Sequence, residues 1–167
     1  MSDFKSIEQT VYSQAIDETS STAQVQLGTI IRAVDKASTD YGVGEFIYLK
    51  GVASTVVGST VTYNADDFST ALAVADAVGP VAFAMSANVA DQYGWYQISG
   101  KAVGKVLASF ADNADCYLTA TAGSIDDADV AGDYIRRCKG ASAIDTPSTG
   151  LAELEIARPE VADGKDN

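Results

Sequence analysis

The chain has 167 residues, which suits one domain with room for an arm or a tail. Its net charge of -12 repels phosphate backbones and anionic lipid, which argues against direct binding of nucleic acid or a membrane surface. Histidine is absent, so the commonest general base and the commonest metal ligand are both missing.

Apolar residues make up 47% of the chain, yet only 8% is aromatic, and small Ala, Val and Gly dominate. Fourteen Gly and three Pro with such small side chains suit thin, closely packed β-layers better than a bulky helical core. A domain of this size buries roughly 70% of its unfolded surface, so no staple is required.

The elements follow in chain order. Residues 1–24 are polar and read as an arm that orders against a neighbour, with Phe4, Ile7, Val11, Tyr12 and Ile16 as its apolar contacts. A short helix with Ile7, Val11, Ala15 and Ile16 on one face is the other reading. The opening MSDFKSIEQT has no apolar stretch of the signal-peptide kind, so a soluble protein made in the cytoplasm is expected.

Val25–Val34 reads as a strand and Asp35–Gly42 as a loop. In GEFIYLKGVA, Phe46, Tyr48 and Lys50 alternate with Ile47, Leu49 and Gly51, the period of a strand. Thr60–Asn64 is a further strand. Asp66–Val78 fits a short acid-capped helix or a strand, since Ala71, Ala73, Ala75 and Ala77 recur with period two.

Val81–Ala87, Trp95–Ser99 and Lys101–Phe110 read as a compact meander with Tyr93, Trp95 and Tyr96 at its centre. Further strands are expected at Cys116–Thr121, at Ser124–Val130 as a short acidic continuation, and within YIRRCKGASAI. LAELEIAR forms the last strand, with Leu154 and Ile156 inward and Glu153 and Glu155 outward. Pro159 ends it, because proline cannot donate to a ladder.

The domain expected is therefore residues 25–160, with an arm at 1–24 and a flexible tail at 161–167. Many short strands punctuated by glycine give an all-β fold, a small antiparallel β-barrel or jelly-roll-like sandwich with an extended N-terminal arm.

Candidate chemistry is thin. Asp126, Asp127 and Asp129 form the densest acidic cluster, but the spacing of a calcium loop is missing and a solvated turn is the better reading. Adjacent Asp126 and Asp127 would face opposite ways on a strand, which spoils a glycosidase pair. Without histidine there is no Ser-His-Asp triad, and Lys101 and Lys105 lie in an alternating, half-exposed run. YGVGEF lacks the Gly-Lys-Ser/Thr ending of a phosphate loop.

No catalytic residue, metal site or cofactor is expected. Cys116 and Cys138 read as buried thiols, with a disulfide between them left open. Tyr93 and Trp95 should share one strand face and Tyr96 the other. That trio reads as a core or subunit anchor, or as a sugar-stacking platform.

GEFIYLKGVAST, GPVAFAMSANVADQYGWYQISGKA, CYLTATAGSIDDA and LAELEIARP, in this order, resemble capsid decoration (cement) proteins of tailed bacteriophages over roughly Gly44 to Pro159. The resemblance implies a structural protein on the exterior of a virion, binding the major capsid protein and itself as a homo-oligomer. A trimer is favoured and a dimer possible. It implies no enzyme activity, nucleic acid or membrane. On that reading Phe4, Ile7, Val11, Tyr12, Ile16, Tyr93, Trp95 and Tyr96 are the interface residues. A glycan- or host-surface-binding β module is the alternative.

Overall fold

The computed structural model describes the backbone of residues 4–6 and, with side chains, residues 14–162. Its strands are β1 (Phe4–Ser6), β2 (Thr19–Ser20), β3 (Ile30–Asp35), β4 (Val43–Lys50), β5 (Thr60–Tyr63) and β6 (Thr70–Leu72). They continue with β7 (Gly79–Ala84), β8 (Tyr93–Lys105), β9 (Asp115–Leu118), β10 (Ile125–Asp126), β11 (Tyr134–Gly140) and β12 (Leu151–Val161). Among the described residues there is no helix, so the all-β expectation holds.

The strands form one sheet in the order β1-β3-β4-β8-β7-β12-β11-β9-β10, with β2 on β8 and β5–β6 on β7. Its strand pairs are antiparallel, and the end strands β1 and β10 do not meet. Strands β7, β8 and β12 each pair with the other two, which forces the sheet to fold over on itself rather than close as a simple barrel.

The alternation in β4 explains the layering. Phe46 and Tyr48 point to one side, where they pack with Ile16, Ile31, Tyr41 and Trp95. Ile47 and Leu49 point to the other, where they meet Val61, Ala82, Tyr96 and Ile98. Period-two projection thus buries both faces of β4 and of the first half of β8. A third core, around Phe83, Phe110, Leu118, Ile135 and Leu154, lies between β7 to β9, β11 and β12.

The expected meander is corrected at Gly100. Trp95–Ser99 and Lys101–Lys105 are one strand of 13 residues, not two. Gly100 has φ +99, and a Cβ there would lie 2.6 Å from the Val43 carbonyl oxygen. Glycine therefore permits a bend at close backbone approach instead of a turn. At Ser99 the strand hands over from Glu45 in β4 to Ala157 in β12.

Pro159 does not end β12. Pairing with β8 stops at Ala157 and pairing with β7 begins at Glu160, so the proline falls between two ladders. The register against β11 also shifts there, and Arg158 has φ 54, the signature of a bulge. Val161 is consequently core rather than tail. Residues 163–167 lie outside the described residues.

The segment Asp66–Val78 resolves as the short strand β6 within turns, with Ala73 in the third core. The strand expected over Val25–Val34 begins only at Ile30. The hairpin loop that follows is tied by the buried Asp35 carboxylate, which accepts from Ala37 N–H (2.9 Å) and Ser38 Oγ–H (2.8 Å).

Candidate functional site

The N-terminal segment 14–24 is not a free arm. Gln14 is buried, and its Nε2 donates to the carbonyls of Glu18 and Tyr93, both at 2.8 Å. Its Oε1 accepts from the Tyr48 hydroxyl, and its backbone carbonyl accepts from the Trp95 indole Nε1 at 3.3 Å. Ile16 is 4% exposed and belongs to the same core, while β2 pairs Thr19 and Ser20 with Gly94 and Tyr93. The β domain therefore includes this segment, and Ile16 is a core residue rather than an intersubunit contact.

The aromatic trio divides as its spacing requires. Tyr93 and Trp95 lie with the Tyr48 core, where the Tyr48 and Trp95 rings meet edge-on at 5.0 Å between centroids. Tyr96 faces the opposite core. Trp95 and Tyr96 are both 0% exposed, so neither can offer a ring to a sugar or to another subunit. Both are corrected from interface to core, and only Tyr93 of the three is half-exposed. Burial pushes the Tyr96 phenol up to about 12, against weaker lowering by the neighbouring Thr70, Asn88 and Thr55 side chains. Phe4 lies in β1, its side chain outside the described residues, as are Ile7, Val11 and Tyr12.

The acidic cluster has a structural use. Asp127 Oδ2 accepts from Ala111 N–H at 2.9 Å and so fastens the loop after β8. Asp129 lies near Tyr117, whose phenol it helps to raise after burial. Among the described residues, no group of His, Cys, Asp and Glu could hold a metal ion.

Lys101 is tied as well. Its Nζ lies 2.7 Å from Glu153 and 5.2 Å from the Tyr41 ring centroid. Glu153, expected to point outward, is half-buried in this cluster. Burial first, and the neighbouring Glu153 carboxylate second, raise the Tyr41 phenol well above the usual tyrosine range.

A second pair of half-exposed aromatics was not singled out in the sequence. Tyr117 on β9 and Tyr134 on β11 are register partners, with ring centroids 5.5 Å apart, both half-exposed. Their neighbours form a cross-strand row in which Lys139 stands opposite Asp115 on one side and Glu155 on the other. Asp115, Tyr134, Arg137, Lys139 and Glu155 line a shallow depression on this face. The pair was legible only as two tyrosines 17 positions apart; register alone brings them together.

This face combines two half-exposed tyrosine rings with charges of both signs. No protein-family model matches the chain, and no curated protein matches it. Among the described residues no helix is long and apolar enough to cross a membrane.

Proposed function

We propose that this chain is a decoration protein of a phage capsid, binding the outer surface of the assembled head and cementing neighbouring major capsid subunits. The supporting observation is where the four resembling stretches fall. They supply β4, β7, β8, β9, β10 and β12, which include the strands at the centre of the sheet. Of these, β4, β8, β7 and β12 are neighbours at the centre of the sheet, and β9 and β10 join them through β11.

The surface is consistent with that role. A cement protein needs a rigid platform with complementary faces, and the half-exposed Tyr117–Tyr134 pair beside Lys139 and Arg137 offers one. Many identical weak contacts on a lattice add through avidity, so a modest face suffices. The platform reading for sugar is not favoured, because Trp95 and Tyr96 are buried.

The contact is tested by mixing the purified protein with capsids stripped of it and imaging the particles. Ordered extra density at fixed symmetry positions supports the proposal. Tyr117→Ala with Tyr134→Ala should weaken occupancy at least tenfold in a folded protein, the loss of roughly 1.4 kcal/mol or more. Naked capsids at saturating protein would overturn it.

A further inference from the structure

We propose that Cys116 and Cys138 form an internal disulfide when the folded protein meets a peroxide, stapling β9 to β11. Both are free thiols in the structure and both are buried in the third core. Asp115 stands opposite Lys139, and Gly140 N–H donates to the Ala114 carbonyl at 2.8 Å. Cys116 follows Asp115 and Cys138 precedes Lys139, so the two cysteines lie beside that pair on adjacent antiparallel strands, within the stretch where the register shifts toward Tyr134.

Directly opposed residues of an antiparallel pair have Cα atoms about 4.5–5.5 Å apart, inside the roughly 4.4–6.8 Å span of natural disulfides. Both side chains point to the buried face, as Leu118 and Ile135 do on the same strands. The two side chains belong to the same core, and Cys116 lies close enough to act on the Cys138 thiol.

The chemistry balances with hydrogen peroxide as the oxidant. The Cys138 thiolate attacks one peroxide oxygen, the O–O bond breaks, and one water leaves after proton uptake, giving a sulfenic acid on Cys138. The Cys116 sulfur then attacks the Cys138 sulfur, the S–O bond breaks, and a second water leaves. One S–S bond has formed, the dithiol has lost two electrons and the peroxide has gained them.

Cys138 is the entry point. It lines the shallow depression beside Tyr134 and Lys139, while Cys116 is 0% exposed. The neighbouring Cys116 thiol, and then burial, raise the Cys138 thiol well above its usual range, so closure should be slow near neutral pH and faster in mild alkali.

The test uses the full chain, reduced and then treated with hydrogen peroxide under native conditions. Intact mass should fall by that of two hydrogens, with a peptide map joining Cys116 to Cys138. The thermal midpoint should rise by roughly 5–10 °C, because the bond closes a loop of roughly twenty residues, and reductant should reverse it. Cys138→Ser treated alongside should show no such mass loss. The wild-type comparison needs no variant to fold. Thiols that stay free under these conditions, mass gain by oxygen alone, or links only between chains would overturn the proposal.

Discussion

Gln14 and Tyr48 stand 34 residues apart, yet the Tyr48 hydroxyl donates to the Gln14 side-chain carbonyl inside the core. The same glutamine accepts the Trp95 indole proton through its backbone, so one N-terminal residue satisfies two buried aromatic donors. Gln14→Ala leaves the Tyr48 hydroxyl without this acceptor and should cost about 2–3 kcal/mol. Deleting residues 1–24 also removes Ile16 and β2, and should cost more. Urea unfolding of both variants checks this, and wild-type midpoints would show the segment to be dispensable.

Trp95 is the only tryptophan and is fully buried, which makes its fluorescence a direct report on this core. Native emission should be blue-shifted and move to the red on unfolding. Trp95→Phe removes the donor to Gln14 and part of the ring volume, a loss of about 1–3 kcal/mol. Water-like native emission would contradict the burial.

Gly100 is the hinge between the two halves of β8. Gly100→Ala combines a left-handed φ with a Cβ 2.6 Å from the Val43 oxygen, and should cost about 2–4 kcal/mol. Gly150→Ala is a control with positive φ but open space around the Cβ. It should cost only about 1 kcal/mol. Equal thermal shifts in the two variants would remove the role of close backbone approach.

Much of this fold was legible because local period and burial agree. Phe46–Tyr48 against Ile47–Leu49 gave both a strand and the opposite placement of its faces, and Trp95 against Tyr96 did the same. What stayed hidden depends on distant partners. The polarity of residues 14–24 suggested an arm, since nothing local shows that Gln14 meets Tyr48 and Trp95. Gly100 and Pro159 looked like strand ends because their compensations, a bend and a gap between ladders, arise from strand neighbours. The surface pair Tyr117–Tyr134 and the neighbouring Cys116 and Cys138 likewise exist only through the pairing of β9 with β11.

Alkaline pH should weaken the fold. The Tyr96 phenol titrates near 12 when folded and near 10 when unfolded, so between those values the unfolded chain holds fewer protons. Stability is unaffected below about pH 9 and falls as pH rises from about 10 to 12, by about 2–3 kcal/mol for this group alone. Tyr41, raised in the same direction, adds to the loss. Denaturant titrations at pH 8 and about pH 11 check the sign, and equal stability at both would refute it.

The capsid-cementing role is tested most directly by heating particles with and without this protein and following genome release. Particles carrying it should hold their contents to a temperature several degrees higher, with the gain restored when purified protein is added back. Identical release temperatures at full occupancy would contradict the role.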